Sequence, residues 1–301
     1  MLMGVSSLGY VVVESTDVES WRQFGADTLG LMVGAPEPDG SLRLRIDERP
    51  FRIAVLPGGA NRFLASGWEF PDQKRFEACL AGLRSAEVQV EIADQAAAVA
   101  RCVTQLARCT DPAGNTLELY WGRALDYKPF ASPQGISGFV TGNMGMGHVV
   151  LPAPQLEACH QFYQRHLGFA DTDEMRLDLT GNPQDPPLGL HFMHADNPRH
   201  HNLGLMGAPA PAGCVHIMLE VRTLDDVGYA LDRCMSRGVH ISSTLGKHSN
   251  DFMVSFYALT PGGFDIELGC AGLQIDWSRW VPTRSLVPDL WGHRWSPPPE
   301  K

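Results

Sequence analysis

The sequence has few of the features that disulfide-bonded, zinc-ribbon or membrane proteins require. Its seven cysteines are odd in number and scattered, and no two form a Cys-x-x-Cys pair, which indicates reduced thiols and no zinc site. No uncharged apolar run approaches the roughly 18–20 residues of a membrane span, so we expect no membrane partner. The first residues carry neither a basic region nor a long apolar core, so we predict a cytoplasmic protein without a signal peptide.

Positive charge is also scarce. The chain carries 24 Lys and Arg against 34 Asp and Glu, a formal net charge of −10, which argues against a nucleic-acid or anionic-membrane partner. With 301 residues, of which 44% are hydrophobic and 19% charged, the composition is typical of a globular protein with room for two ordinary domains.

The second half of the chain repeats the plan of the first. The spacing from the first strand of a half to a later glycine is the same in both halves: 20 positions separate Tyr10 from Gly30 and His148 from Gly168. The spacing from a second strand to a later acid is also matched: 50 positions separate Trp68 from Glu118, and 51 separate His216 from Glu267. The repeat predicts an α+β fold of four β-α-β-β-β modules, two per domain.

A proline- and glycine-rich stretch at residues 128–135 separates the two halves. We therefore predict an N-terminal domain at 1–134 and a C-terminal domain at 135–301. The last part of the C-terminal domain, after Cys270, is rich in Trp and Pro. We expect this tail to pack over the outside or to form a subunit contact.

Residues 246–267 are the most informative stretch. They indicate two strands joined by the turn sequence Thr260-Pro261-Gly262-Gly263. The second strand carries Glu267 between two apolar residues, where an unpaired charge is costly. A metal ion is one partner for such an acid, and a solvated strand face is the alternative.

The same stretch resembles a known signature. Its fixed positions are Gly246-x-His248, seven residues, Phe256-Tyr257-x-x-Thr260-Pro261-x-Gly263, three residues and Glu267. They resemble the signature of the type I extradiol ring-cleavage dioxygenases, which belong to the vicinal oxygen chelate superfamily. The resemblance covers nearly the whole chain and is closest to the 2,3-dihydroxybiphenyl 1,2-dioxygenase-like group. It implies that each domain is a funnel-like barrel of mixed strands.

For the metal site, the resemblance implies the ligands His148, His216 and Glu267. The repeat points the same way, because the matched residues of the first half are Tyr10, Trp68 and Glu118. Two imidazoles and one carboxylate fit non-haem Fe(II) with positions open for substrate and oxygen, with Mn(II) as the alternative ion. We therefore predict a catalytic Fe(II) site in the C-terminal domain and a duplicated, metal-free N-terminal domain.

The resemblance also implies roles for residues around the metal. The expected catalytic residues are His201, which lines the oxygen site, and His248 and Tyr257, which contact the substrate hydroxyls. Asn202 stands where Ser or Thr is usual. The expected substrate pocket consists of Val150, Met175, Phe192, Asn250 and Asp251. We interpret His160, His166 and His293 as structural.

The function that the resemblance implies is extradiol, or meta, cleavage of a catechol such as 2,3-dihydroxybiphenyl by dioxygen. The product would be a ring-opened hydroxy-keto-dienoate in aromatic degradation. The resemblance also implies a homo-oligomer, either a dimer or an octamer. Two alternatives share the fold: a glyoxalase-like metal isomerase and a metal-free, drug-sequestering binding protein.

Overall fold

Two curled sheets, one from each half of the chain, organise the structure, a computed structural model that describes residues 4–178, 182, 184 and 186–298. The first sheet contains β1 (Ser7–Ser15), β2 (Met32–Val33), β3 (Leu42–Arg45), β4 (Ile53–Pro57), β5 (Arg62–Phe70), β6 (Glu91–Ile92), β7 (Val103–Thr110) and β8 (Thr116–Arg123). Their order across the sheet is β2-β3-β4-β1-β5-β8-β7-β6.

The second sheet is built from the C-terminal half. It contains β9 (Gly147–Pro152), β10 (Ala170–Leu177), β11 (Leu188–His194), β12 (Leu203–Met206), β13 (His216–Glu220), β14 (Ile241–His248), β15 (Val254–Leu259), β16 (Asp265–Cys270), β17 (Thr283–Ser285) and β18 (Asp289–Trp291). Their order is β17-β10-β11-β12-β9-β13-β16-β15-β14-β18.

Five α-helices, a π-helical segment and a 3-10 turn accompany the strands in the described ranges. They are α1 (Val18–Arg22), which continues as a π-helical segment (Gln23–Thr28), α2 (Gln73–Ser85), α3 (Gln95–Ala100), α4 (Leu156–Leu167), α5 (Leu224–Ser236) and a 3-10 turn (Gly142–Met144). Asp17 begins α1 by accepting a hydrogen bond from the backbone N–H of Ser20. Gly168 ends α4 in the left-handed region, at φ +72°. None of the helices in the described ranges has the length and apolar character needed to cross a membrane.

Each half joins its two modules in the same way. In the first sheet, β1 runs parallel to β4 of its own module and antiparallel to β5 of the next. In the second sheet, β9 is likewise parallel to β12 and antiparallel to β13. The predicted α+β fold of four β-α-β-β-β modules is confirmed. The halves share a hydrophobic core, in which Trp68 packs edge-on against Phe169 with ring centroids 5.1 Å apart.

Strand register corrects one match of the sequence repeat. In each half, one residue of the middle strand pairs with a residue on each flanking strand. Gly67 pairs with Tyr10 and Glu118 in the first half, and Met218 pairs with His148 and Glu267 in the second. The equivalent positions are therefore Tyr10 and His148, Gly67 and Met218, and Glu118 and Glu267. His216 lies two residues before Met218, so its counterpart is Ala65, two residues before Gly67. The match of His216 to Trp68 was therefore wrong.

The first half satisfies its buried acid with protein groups alone. Glu118 accepts hydrogen bonds from Tyr10 at 2.8 Å, Arg101 at 2.7 Å and Arg108 at 3.1 Å. Its side chain is almost fully buried. Two guanidinium groups and a phenol thus surround the Glu118 carboxylate. Its counterpart in the second half, Glu267, faces histidines.

The C-terminal tail, residues 271–298, adds a strand to each edge of the second sheet. β17 pairs in parallel with β10, and β18 pairs antiparallel with β14. Two indole N–H groups attach the segment before β17, since Trp277 donates to the carbonyl of Asn197 at 2.7 Å and Trp280 to that of Thr172 at 3.1 Å. The expectation that the tail packs over the outside was incomplete, because the tail is part of the sheet, and the alternative of a subunit contact stays a prediction.

We expect Glu118→Ala to destabilise the protein by about 3 kcal/mol, because two arginines and a tyrosine lose a buried acceptor. Denaturant-induced unfolding measures the change in the free energy of unfolding. Glu91→Ala is the matched control, since Glu91 also pairs with Arg108 but its side chain is 67% exposed. Its loss should stay below about 1 kcal/mol. Equal losses for the two variants would contradict a buried role for Glu118.

Candidate metal centre

Three neighbouring strands, β9, β13 and β16, carry the predicted metal ligands. Met218 of β13 pairs with His148 of β9 and with Glu267 of β16. Side chains at paired positions, and at positions two residues apart on one strand, point to the same face of a sheet. His148, Glu267 and His216, which precedes Met218 by two residues, therefore project together from one face.

The donor atoms of these three side chains, which we call the tripod, converge. Nε2 of His148 lies 3.1 Å from Nε2 of His216 and 3.3 Å from Oε2 of Glu267, and the third separation is 3.5 Å. Donors bound at about 2.1 Å to one ion lie roughly 3.0–3.4 Å apart, so the geometry fits a single metal ion. His148 and Glu267 are buried, whereas His216 is half-buried and leaves one side accessible.

The charges of the tripod suit a divalent cation. Burial lowers the pKa of His216 to about 3, so its ring is neutral at pH 7. Burial alone would raise the pKa of Glu267, but hydrogen bonds to His148 and His248 hold that pKa well below its usual value. Neutral imidazole and ionised carboxylate are the forms that bind first-row divalent metals.

His201 packs directly against the tripod. Its ring lies over the ring of His148, with centroids 4.1 Å apart, and against Phe192 at 4.9 Å. Its Nδ1 lies 3.0 Å from Nδ1 of His200, which leaves Nε2 as the nitrogen that can meet a ligand. Burial and the neighbouring histidines keep the pKa of His201 well below its usual value, so the ring is neutral.

Asn202, at a position where the resemblance implies Ser or Thr, holds a loop in place. Its side-chain oxygen accepts hydrogen bonds from the backbone N–H of Ala195 at 3.1 Å and from the side-chain amide of Asn197 at 2.9 Å. The residue is fully buried. Its amide therefore braces the loop that carries His201.

His248 and Tyr257 lie beside the other members of the tripod. Nε2 of His248 is 2.8 Å from the Tyr257 hydroxyl and 3.3 Å from Oε1 of Glu267. The Tyr257 ring stands edge-on to His216, with centroids 5.2 Å apart. Burial and the charge of Glu267 raise the pKa of Tyr257 well above its usual value, so the hydroxyl keeps its proton. A hydroxylated ligand at the tripod would meet both an imidazole and a phenol.

The three residues of the predicted apolar wall lie on β9, β10 and β11, on the face of the sheet that carries the tripod. Val150 pairs with His216 across β9 and β13, so its side chain shares the face of the tripod. Phe192 packs against His201, whose ring lies over His148 of the tripod. Met175 is buried on β10 and pairs with Leu190, two residues before Phe192, so it lies on the same face of the sheet.

The other two predicted pocket residues, Asn250 and Asp251, lie in the turn between β14 and β15. The Asn250 side chain accepts a hydrogen bond from the backbone N–H of Asp251 at 2.9 Å, and Asp251 accepts one from Met253 at 3.0 Å. Asp251 also lines a small cavity together with His148 and His201. Both side chains therefore shape the turn, and Asp251 in addition borders the site.

Two residues that sequence reasoning missed come from the tail. Oδ1 of Asp289 lies 2.9 Å from Nδ1 of His248 and 2.5 Å from Nδ1 of His293. Nε2 of His293 lies 3.0 Å from the carbonyl oxygen of Ser255, whose hydroxyl donates to Glu267 at 2.6 Å. His293 was interpreted as structural and Asp289 was not considered. The signal in the sequence that could have revealed them was the spacing of Asp289 and His293, four residues apart in a Trp- and Pro-rich tail.

Known proteins resemble the chain along almost its whole length. The family profile described as Dihydroxybiphenyl dioxygenase BphC D1 matches residues 8–58, and that of the Glyoxalase/Bleomycin resistance protein/Dioxygenase superfamily matches residues 145–268. An iron-dependent extradiol dioxygenase of Rhodococcus jostii (strain RHA1) is 42% identical over 98% of each chain. A biphenyl-2,3-diol 1,2-dioxygenase of Paraburkholderia xenovorans (strain LB400) is 40% identical over 97% of this chain and 96% of the relative.

Solved structures agree. The crystal structure of BphC, a halotolerant catechol dioxygenase, has a TM-score of 0.90 and 35% identity, covering 98% of this chain and 96% of that one. A Mn(II)-bound glyoxalase from Novosphingobium aromaticivorans has a TM-score of 0.80 at 20% identity, covering 98% of this chain and 93% of that one, and shows the fold alone. Since the similarity to dioxygenases extends through both halves and through the strands of the tripod, the chain belongs to the extradiol dioxygenases of the Glyoxalase/Bleomycin resistance protein/Dioxygenase superfamily.

Proposed function

We propose that the chain uses iron(II), held by His148, His216 and Glu267, to cleave a catechol ring beside its two hydroxyl groups with dioxygen. The observation that carries this proposal is the tripod, whose donor atoms lie 3.1–3.5 Å apart. The name of the Rhodococcus relative supports iron, and the names of other relatives support a biphenyl-2,3-diol-like substrate. Mn(II), which accepts the same donors, is the alternative ion.

Bound iron(II) would bring the catechol and dioxygen to one centre and transfer electrons between them. The protein orients the substrate around this centre. Val150, Met175 and Phe192 offer an apolar wall for the ring and its substituent, while His248 and Tyr257 offer polar groups to the hydroxyls. The buried setting of the tripod also limits the access of water.

His248 and Tyr257 accept the first proton in the proposed reaction. A catechol hydroxyl that meets the Tyr257 hydroxyl can pass its proton to Nε2 of His248, which lies 2.8 Å from that oxygen. In this relay the Tyr257 hydroxyl gives its own proton to His248 and takes up the proton of the catechol, so it ends protonated and can then donate a hydrogen bond to the substrate oxygen.

His201 supplies a proton on the oxygen side of the site. Its neutral ring is fixed between His148 and Phe192, and its Nδ1 faces His200. The ring can therefore present Nε2 to the reacting oxygens, take up a proton that the catechol releases, stabilise developing negative charge as the imidazolium and return the proton.

We infer that residues 1–134 form a metal-free scaffold domain and residues 135–301 the catalytic domain, because arginines surround Glu118. Asn250 and Asp251 are proposed to border the far end of the substrate.

We further propose a cytoplasmic homo-oligomer, a dimer or an octamer, without a nucleic-acid partner, in keeping with the net charge of −10. Light scattering after size-exclusion chromatography tests the assembly, and a monomer at micromolar concentration would refute it.

The decisive experiment is turnover of substituted catechols by the iron-loaded protein in air. A yellow ring-opened product that carries both atoms of ¹⁸O₂ is the expected result. Values of kcat/KM for biphenyl-, naphthalene- and alkyl-substituted catechols then rank the substrates. An isomerase or a drug-binding protein would give no such product, and its absence with every catechol would overturn the proposed function.

We expect Glu267→Gln to abolish iron binding, because the charged member of the tripod is lost. Glu118→Gln is the matched control in the first half and should retain about one iron per chain, since the histidine-bearing strands are untouched. Metal analysis of the two purified variants after anaerobic loading makes the measurement. Loss of iron from Glu118→Gln, with Glu267→Gln unaffected, would place the metal in the wrong half for our proposal.

We expect His201→Ala to keep its iron and bind catechol while kcat falls by about 10²–10⁴-fold, the usual contribution of a general acid or base. His166→Ala, on α4, is the control and should behave as the unmodified protein. Steady-state kinetics and metal analysis are read together. An unchanged kcat would make His201 a bystander, and a loss of iron would make it a metal ligand.

A further inference from the structure

We propose that Asp289 of the C-terminal tail is a positioning residue that fixes the His248 imidazole for the reaction. The inference rests on the proposed function, in which His248 accepts the proton of a substrate hydroxyl. Asp289 does not touch the tripod. It acts on His248 alone among the proposed catalytic side chains, through a hydrogen bond on the ring nitrogen that faces away from the substrate.

The two ring nitrogens of His248 have different partners. Nδ1 lies 2.9 Å from Oδ1 of Asp289, which is an acceptor when ionised, so Nδ1 carries the proton. Nε2 lies 2.8 Å from the Tyr257 hydroxyl. In the neutral form of the ring, with the proton on Nδ1, the lone pair of Nε2 faces Tyr257 and the substrate. This is the tautomer that can accept a proton.

Asp289 is itself held in place by His293. Oδ1 of Asp289 also lies 2.5 Å from Nδ1 of His293, and Nε2 of His293 lies 3.0 Å from the carbonyl oxygen of Ser255. The hydroxyl of Ser255 donates to Oε1 of Glu267 at 2.6 Å. A continuous series of contacts therefore runs from Glu267 through Ser255 and the tail residues to His248. Nε2 of His248 closes the series, since it lies 3.3 Å from the same Oε1 of Glu267.

The backbone delivers Asp289 to this position. β18 pairs with β14, and Asp289 is the register partner of His248. Paired residues of neighbouring strands have adjacent side chains, so the contact follows from the register. Gly246 makes room for the tail, because a Cβ there would meet the His293 ring at 2.5 Å. Gly246, a fixed position of the signature, is thus the residue against which the His293 ring packs.

The kinetic test uses the full-length, iron-loaded protein. We expect Asp289→Ala to lower kcat by about 10–100-fold, the usual effect of removing a partner that orients a functional histidine. KM and iron content should stay close to those of the unmodified protein. Asp289→Asn should restore most of kcat, because its amide oxygen can still accept from Nδ1. Asp276→Ala is the matched tail control, since Asp276 bonds to Ser278 in its own turn.

Two further measurements separate positioning from general stability. Gly246→Ala leaves Asp289 intact but displaces His293, and we expect it to lower kcat in the same way. In ¹⁵N-histidine NMR of the full-length chain loaded with diamagnetic zinc(II), the His248 Nδ1–H signal should disappear in Asp289→Ala and persist in Asp276→Ala. His248→Gln assigns that signal.

The outcomes are distinct. Unmodified kcat in Asp289→Ala, loss of iron in both Asp289 variants, or an unchanged His248 signal would overturn the positioning role. Equal kcat losses in Asp289→Ala and Asp276→Ala would also overturn it, because the tail would then act only through its stability. If the unmodified protein cleaves no catechol, the proposed function fails, while the NMR comparison still decides whether Asp289 fixes His248.

Discussion

A carboxylate buried in the middle of a strand is the constraint on which the site depends. Glu267 lies between Ile266 and Leu268 in β16 and is almost fully shielded from solvent. An ionised acid in such a place is stable only if hydrogen-bond donors or a cation surround it. His148, His248 and Ser255 meet its two oxygens, and the tripod adds a place for a metal ion. The strands β9, β14 and β15 carry these three partners.

The two halves answer the same constraint in opposite ways. Glu118 has the equivalent strand position, but Arg101 and Arg108 supply permanent positive charge and occupy its oxygens. Guanidinium groups neutralise a carboxylate completely and leave it no capacity to bind a metal. Neutral imidazoles do the reverse, since they offer lone pairs and leave the charge to be balanced by an ion. The same strand position thus has a structural role in the first half, at Glu118, and is available for metal binding in the second half, at Glu267.

Much of the fold and the centre of the site were readable from the sequence. Matched spacings, such as the 20 positions from His148 to Gly168, revealed the modules. Strand register was not readable, because the alternation of side chains does not reveal which residues face each other across two strands. This is why Trp68 was matched to His216 when Ala65 has that place. The tail contacts were also hidden, since short edge strands of three residues have no periodicity and depend on a sheet formed elsewhere in the chain.

The edge position of β18 has a consequence for how the protein matures. The ribosome releases the chain from its N-terminus, and domains generally fold as they emerge. The strands of the tripod end at Cys270, so they can assemble before residues 289–293 are available. A nascent chain can thus form the metal-binding strands while the imidazole opposite Asp289 is still unanchored. Pairing of β18 with β14, and not formation of the core, is then the step that makes the site whole.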